Sequence, residues 1–396
     1  MTRRIPSAET SIITVTPESR RTKKLTFPLL ISAFLTGLGI AFGIHALFVG
    51  HDHVFGTSRE VPWGMLITPY VFFACLATGA CLLSSLGQVF RITPFIPLVK
   101  QTVYISLIAM ASGLFAIGLE VENPWRVPIW GILSANPLSN IWWKSSIYTL
   151  FLLLMTSNYL LLLRGRGRLA KGVAFAALIT ITCGNLNLHS DMALIGARGF
   201  WAENYMPLFF LTVSVLSACS AVAMIVPFNY WLNDKELSEE LLSTLSALCK
   251  MSLVLIFGIF IFQLMKILGG FSTKFTENPE ALQLLVRGDY AVNFWLGEIV
   301  LAVVLPIVLI VFSRGGRRPR ILALAGISIL SGLFVTFYDL IIVGQLIPHF
   351  QDYDLFGYPQ FYSYRPSLHE FIMVVGAIAF FFTAFLLGEI LFKNGR

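Results

Sequence analysis

The sequence predicts an all-α integral membrane protein with about ten transmembrane helices. Three observations predict it: the composition, the recurrence of long apolar runs, and the placement of Lys and Arg between those runs. Of the 396 residues, 56% are hydrophobic and only 12% are charged, and the mean hydropathy is +0.77. Such a chain has too little polar surface to cover a soluble globule.

Apolar runs of about 20 residues, the length that crosses a hydrocarbon core of roughly 30 Å, recur along the whole chain. The predicted spans are residues 26–50, 64–88, 101–120, 143–164, 171–189, 205–231, 245–268, 290–313, 321–346 and 368–392. No connection is long enough for a soluble domain. We therefore expect a cytoplasmic N-terminal segment (1–25), one polytopic membrane domain (26–392) and a cytoplasmic tail (393–396).

The first two spans contain small residues at helical spacing. Gly39 and Gly43 stand within an apolar run, so we interpret them as positions of close helix packing and not as a phosphate-binding loop. The stretch "ATGACLLSS" (77–85) likewise predicts that two helices approach closely.

Polar residues and turn signals bound the third, fourth and fifth spans. Glu120 ends the third, Asn136 and Ser139 precede the fourth in "NPLSN", and His189 ends the fifth. Pro and Asn-Pro turns in the connection 120–144 predict an ordered cap, and its Trp residues are typical of the membrane interface.

The last five spans are long apolar runs with few polar residues. Glu298 and Asp339 lie within the outer parts of the eighth and ninth spans. A charge at the bilayer centre costs at least about 2.5–3.5 kcal/mol, so we expect both to face the bundle interior or a water-filled cavity. A wide apolar gap separates Glu389, near the inner end, from these groups, which favours outer-face proton exchange over proton pumping.

The distribution of basic residues predicts the topology. Nineteen of the 28 Lys and Arg residues fall in the N-terminal segment, the even-numbered connections and the C-terminus, seven fall on the opposite side, and two lie near the ends of a span. This bias places both termini in the cytoplasm. The net charge of +7 then reflects membrane orientation, so lipids are the expected surroundings and no nucleic acid is expected as a partner.

The five cysteines all fall within predicted spans and form no Cys-x-x-Cys motif. We therefore expect neither an iron–sulfur cluster nor a metal site in this chain. Haem b would need two histidines at similar depth facing one cavity, which only His45 and His189 offer, and we expect none.

Titratable side chains gather at the outer ends of the predicted helices. His189, Asp191, Arg198 and Glu203 are predicted to line the outer mouth of the bundle. For each such group, a solvated or helix-capping role is the alternative, and it is the favoured interpretation for His51.

Several segments, taken in order, resemble the polysulfide-reductase membrane-subunit (NrfD) family. They are "VPWGMLITPYVFFACLATGACLLSS" (61–85), "AIGLEVENPW" (116–125), "NPLSNIWWKSSIY" (136–148), "NLHSDMALIGARGFW" (187–201), "FWLGEIVL" (294–301) and "YRPSLHEF" (364–371). The match runs over roughly residues 60 to 375 and is most similar to the long, ten-helix branch that includes the hydrogenase-2 membrane subunit.

The resemblance implies a quinone-reactive subunit in a bacterial or archaeal inner membrane, built as two four-helix bundles plus two additional helices. Its substrate would be menaquinone or ubiquinone. It would carry no redox cofactor of its own and would exchange electrons with a four-cluster, ferredoxin-like iron–sulfur subunit on the periplasmic side, which serves a catalytic subunit.

The resemblance also carries over individual positions. The matching residues are Trp63, Gly64, Glu120, Asn136, Pro137, Ser139 and His189. It implies a quinone headgroup near the outer ends of the first four helices, with His45, Trp63 and Glu120 as candidate contacts and Gly64, Asn136 and Ser139 as further candidate quinone-binding residues. Quinone chemistry moves protons as well as electrons, so Glu120, His189 and Asp191 are the candidate proton-exchanging groups, Glu120 first among them.

One departure from the family pattern concerns a charge. Lys144 stands where the hydrogenase branch has a glutamate, and "SDMALIG" replaces a serine-rich run after His189.

Besides the quinone-reactive subunit, two other functions remain open. One is a ten-helix secondary transporter, for which no internal repeat is evident, and the other is a membrane anchor without quinone chemistry.

Overall fold

The computed structural model describes residues 17–196, 199–201, 203–232, 237–270, 279–348 and 359–392. Within them, ten helices are long and apolar enough to cross a membrane, as the sequence predicted. Arg198 and the tail 393–396 lie outside the described residues, as does most of the predicted N-terminal segment.

The helices are α1 (Pro17–Val49), α2 (His51–Val54), α3 (Ile67–Gln88), α4 (Val99–Glu120), α5 (Arg126–Leu133), α6 (Asn140–Leu163), α7 (Gly167–Gly196), α8 (Met206–Leu232), α9 (Glu239–Gly270), α10 (Pro279–Val286), α11 (Leu305–Phe312), α12 (Pro319–Leu346) and α13 (Leu368–Phe392). Two 3₁₀ turns, Thr93–Leu98 and Gly199–Trp201, and a π-helical segment, Asn293–Val304, complete the order. The π-helical segment runs directly into α11, and together they form the eighth span.

Several helices extend beyond the apolar runs that predicted them. α1 begins at Pro17 and α7 continues to Gly196. Helical backbone bonds do not end where the apolar run ends, so the hydropathy pattern marks the part of a helix that needs lipid and not the whole helix.

The long helices form two four-helix bundles and one helix pair, which agrees with the predicted arrangement. In the first bundle α3 packs against α4 and α7, and α6 packs against α4 and α7. In the second, α12 packs against α8 and the π-helical segment, and α9 contacts both of these. α1 and α13 pack on each other, and α13 also contacts α4.

Small residues allow these close approaches, as the sequence predicted. A Cβ on Gly39 would lie 2.8 Å from the Cα of Gly376, so α1 and α13 cross with their backbones in contact. A Cβ on Gly79 would overlap the carbonyl oxygen of Ser214, so α3 packs equally closely on α8.

The chain crosses the bundle in alternating directions, so five helix ends and five helix starts meet at one end of the molecule, which we call the site end. Contacts across it fix the arrangement. Gln345, near the end of α12, bonds to the backbone of Trp63, and Glu370, at the start of α13, bonds to the backbone of Gly56 and Met65. Which side of the membrane this end faces stays a prediction.

Candidate functional site

A cavity of about 180 Å³ lies at the site end of the first bundle. Its lining residues come from α3, α4, α6, α7 and the segment before α3, and are Trp63, Ile67, Tyr70, Val71, Ile117, Ile141, Lys144, Leu188, Asp191 and Met192. Two larger apolar grooves run along the outside of α13, α8 and α12, but each has one serine as its only polar lining residue. Of these three, the small cavity is the one that charged side chains line.

The two charged residues of the cavity form an ion pair. Lys144 Nζ contacts Asp191 Oδ2, and the side chains of Lys144 and Asp191 are only 13% and 6% exposed. Asn140 Nδ2 donates to Asp191 Oδ1, and Asn187 Nδ2 donates to Asn140 Oδ1 at 2.5 Å. Asn140 and Lys144 are one turn apart on α6, as Asn187 and Asp191 are on α7, so the two helices present matching polar faces.

Aromatic side chains form the walls around this pair. Lys144 Nζ lies 5.9 Å from the ring centroid of Tyr70. The Tyr70 hydroxyl is hydrogen-bonded to that of Tyr148, which is also buried. A cationic donor, a carboxylate and an aromatic wall are therefore held together in an otherwise apolar bundle.

Trp63 closes the cavity on the side of the second bundle. Its ring stacks on that of Trp201, with centroids 5.1 Å apart and an interplanar angle of 21°. Gln345 fixes the Trp63 backbone, since Trp63 N donates to Gln345 Oε1 at 2.9 Å and Gln345 Nε2 donates to Trp63 O at 3.0 Å. Trp201 Nε1 donates to Leu340 O at 2.8 Å, so α12 holds both members of the stack.

His189 lies beside this stack and does not line the cavity. Its Nε2 is 3.3 Å from the carbonyl oxygen of Trp201, and its ring packs near Phe210. Because His189 precedes Asp191 by two positions on α7, the two side chains leave the helix in different directions. The histidine thus fixes the Trp201 segment.

Glu120 lies next to the cavity, one turn beyond Ile117 of the lining. The Gly64 backbone is within hydrogen-bonding range of its carboxylate, while the second oxygen, Oε2, has no partner among the described residues. The ring of His51 faces the Glu120 carbonyl, and burial lowers the pKa of His51 although Glu122 acts in the opposite sense. His51, for which we favoured a solvated or helix-capping role, is half-buried beside the end of α4.

Glu370, to which the sequence assigned no specific role, fastens the segment that carries Trp63. Gly56 N and Ser367 N each donate to its Oε2 at 2.8 Å, and Tyr364 Oη and Met65 N donate to its Oε1 at 2.5 and 3.2 Å. Burial raises the pKa of the Tyr364 phenol, which keeps it a donor. The Ser-x-x-Glu capping-box pattern at 367–370 is the one sequence signal that predicts part of this network.

The structure places the remaining predicted residues away from the cavity. Asn136 Oδ1 accepts a hydrogen bond from Leu138 N at 3.2 Å, and Ser139 caps α6 through Trp142 N at 3.4 Å. His45 Nδ1 lies 3.1 Å from Nε2 of His369, between α1 and α13. Trp63 and Asp191 are thus the predicted residues that line the cavity, with Gly64, Glu120 and His189 adjoining it.

Comparison with known proteins gives one family and several relatives. The model of the family "Polysulphide reductase, NrfD" matches residues 53–349. A selenate reductase subunit of Mesobacillus selenatarsenatis is 26% identical, covering 90% of this chain and 91% of its own. The Hdr-like menaquinol oxidoreductase integral membrane subunit of Archaeoglobus fulgidus is 23% identical, covering 89% and 90%.

A third relative is a hydrogenase subunit. The probable Ni/Fe-hydrogenase 2 b-type cytochrome subunit of Escherichia coli is 22% identical, covering 93% of both chains. The family match covers most of the membrane-spanning region and includes α3 to α12, which build the cavity and both bundles. The chain is therefore a ten-helix member of the NrfD polysulphide reductase family.

Proposed function

We propose that this chain is the quinone-reactive membrane subunit of a respiratory oxidoreductase and that its small cavity binds the quinone headgroup. The observation that carries the proposal is the Lys144–Asp191 pair against an aromatic wall. A quinone needs an apolar slot for its ring, a donor for its carbonyl oxygen and a titratable group for its protons. The name of the archaeal relative, which specifies a menaquinol oxidoreductase, supports this substrate class.

The size of the cavity suits the headgroup alone. Its volume of about 180 Å³ is below the roughly 300–1,000 Å³ typical of sites that enclose a whole ligand. The isoprenoid tail would therefore stay in lipid. The Trp63 ring, immobilised by Trp201 and Gln345, supplies a fixed face for the quinone ring.

The proposed chemistry gives each polar group one task. Oxidation of a quinol breaks two O–H bonds and releases two electrons and two protons. Lys144, with three N–H donors, orients the quinone oxygen, and the Asp191 carboxylate accepts one proton. Glu120 and His51, whose Oε2 and Nε2 atoms have no partner among the described residues, are the proposed route for the other proton to water.

The electrons would leave to an iron–sulfur centre in a subunit docked on the site end. This end presents exposed apolar side chains on and beside α5, among them Trp125, Trp130 and Ile132. Such residues suit either a docked protein or interfacial lipid. The names of all three relatives contain the word "subunit" together with a reductase, an oxidoreductase or a hydrogenase. These names support a multi-subunit assembly.

The test uses the complex purified with its partner subunits. Replacing Asp191 with Asn or Lys144 with Gln should lower the menaquinol-driven reduction rate of the iron–sulfur centres, followed by electron paramagnetic resonance, by roughly 10²-fold or more, because each change removes an acid–base or orienting group. Lys171→Gln, at the other end of α7, is the control and should retain the rate.

Two outcomes would contradict the proposal. Unchanged quinol turnover in both Asp191→Asn and Lys144→Gln would leave the chain as a membrane anchor. Purification without quinone or iron–sulfur partners, together with solute movement in liposomes, would indicate a transporter.

A further inference from the structure

A second polar cluster lies in the other four-helix bundle, where α9, the π-helical segment and α12 meet. Glu298 and Asp339 are both fully buried, each 0% exposed. Their carboxyl groups are in hydrogen-bonding contact with each other. None of the cavity-lining residues belongs to this cluster, so the two groups of residues are separate sites.

The donors around the two carboxyl groups satisfy only half of their oxygen atoms. Glu298 Oε2 accepts from Gln263 Nε2 at 2.6 Å and from Lys266 Nζ at 3.1 Å. Asp339 Oδ1 accepts from Asn293 Nδ2 at 2.9 Å. Glu298 Oε1 and Asp339 Oδ2 have no donor among the described residues, although buried polar atoms are nearly always paired.

The π-helical backbone explains how the cluster is assembled. Its hydrogen bonds join residues five apart, so Asn293 and Glu298 lie one turn apart on the same side. In an α-helix, neighbours on one face are three or four apart and these two would diverge. A Cβ on Gly297 would overlap Val335 Cγ1, so the segment also packs closely enough on α12 for the carboxyl groups to meet.

The cluster holds two carboxyl groups but only one cationic side chain. Two ionised carboxylates beside the single ammonium of Lys266 would leave one net negative charge inside the membrane. Two carboxylates in contact also repel each other, so one of such a pair retains a proton. One proton held by the two carboxyl groups would supply a missing donor and neutralise the cluster.

We propose that Glu298 and Asp339 bind one proton between them, with Lys266 balancing the remaining charge, and that they form a proton-binding site distinct from the quinone cavity. Asn293 is half-buried at the site end and is the proposed contact with water. Among the described residues, the other titratable groups facing the pair are Tyr205 toward Glu298, and Tyr290 and Tyr338 toward Asp339. Burial raises the pKa of Tyr205 and Tyr290, so these phenols stay neutral.

Infrared spectroscopy of the full chain in detergent tests the proposal, because the C=O stretch of a protonated carboxyl group is resolved from the carboxylate bands. Wild-type minus E298Q and wild-type minus D339N spectra should each show the loss of one protonated carboxyl band of the same size. A shared proton predicts this, since either neutral amide leaves the other carboxylate paired with Lys266. K266M should instead gain one carboxyl band, because the pair then needs a second proton to become neutral.

Glu370→Gln is the matched control. Glu370 is equally buried, but its oxygens receive four hydrogen bonds, so no donor is missing there and its replacement should leave the band unchanged. Three results would overturn the proposal. They are absence of the band in the wild type, loss of half-sized bands in E298Q and D339N, and loss of the same band in E370Q. A band that disappears when sodium replaces potassium in the buffer would also overturn it, since this would indicate a bound metal cation.

Discussion

At the scale of single residues, the proposed function depends on the charge at position 144. The resemblance places an acid there in the hydrogenase branch, whereas this chain has a lysine paired with Asp191. Removing either partner would leave an uncompensated buried charge, which costs about 3–5 kcal/mol. The lysine and the aspartate therefore form one electrostatic unit, and the proposed proton acceptor lies on α7 instead of α6.

Gly64 also matters as a single residue, because a Cβ there would overlap Glu370 Oε1 and lie 3.0 Å from Thr57 Cγ2. We predict that Gly64→Ala displaces the Trp63 segment and destabilises the protein by about 1–3 kcal/mol, the usual cost of overpacking. Thermal unfolding in detergent should show a lower Tm, and quinol turnover should fall with it.

Gly118→Ala is the control for this substitution. Gly118 lies on α4 near the same end, and a methyl group added there would have no neighbour within 4 Å. Since alanine favours a helix by about 1 kcal/mol over glycine, its Tm should be unchanged or slightly higher. An equal loss of Tm in both variants would contradict the specific contact between Gly64 and Glu370.

At the scale of helices, the pair α1 and α13 depends on two glycines that face each other. We predict that Gly39→Leu separates these helices, because its side chain would enter the space occupied by the Gly376 backbone, 2.8 Å from the Cβ position. The expected result is a Tm several degrees lower or failure to recover the protein from membranes. Gly37→Leu is the control. A Cβ at Gly37, on the same helix, would have no neighbour within 4 Å, so this variant should behave like the wild type.

The helices were more predictable from the sequence than their contacts. Hydropathy predicted all ten spans, and the glycine pattern of α1 predicted close packing, because both depend on local composition. The π-helical turn that aligns Asn293 with Glu298 leaves no such local pattern.

The candidate site was predicted only in part for the same physical reason. The resemblance pointed to Trp63, and Asp191 was singled out by its charge at the end of a span. The stack of Trp63 on Trp201 joins residues far apart in the chain, and only the tertiary packing creates it. Likewise, Lys144 was recognised as a departure, but its pairing with Asp191 required the relative rotation of α6 and α7.

At the scale of the whole molecule, the polar clusters of both bundles lie toward the site end. The ion pair of the first bundle and the carboxyl pair of the second are linked through α12, which carries Asp339 and also holds Trp63 through Gln345. The opposite half has one wide apolar groove along α13. The proposed electron-transfer partner would therefore approach from the site end.

The sidedness of this end is the last prediction. In a Cys183→Ser background, since Cys183 is the one exposed cysteine among the described residues, Arg59→Cys marks the site end and Arg166→Cys the opposite end. The bias of Lys and Arg predicts that a membrane-impermeant maleimide labels position 59 from the periplasm and labels position 166 only after the membrane is permeabilised. The buried cysteines should stay unlabelled in both cases. The reverse pattern would place the cavity, and with it the docking surface for an electron-transfer partner, on the cytoplasmic side.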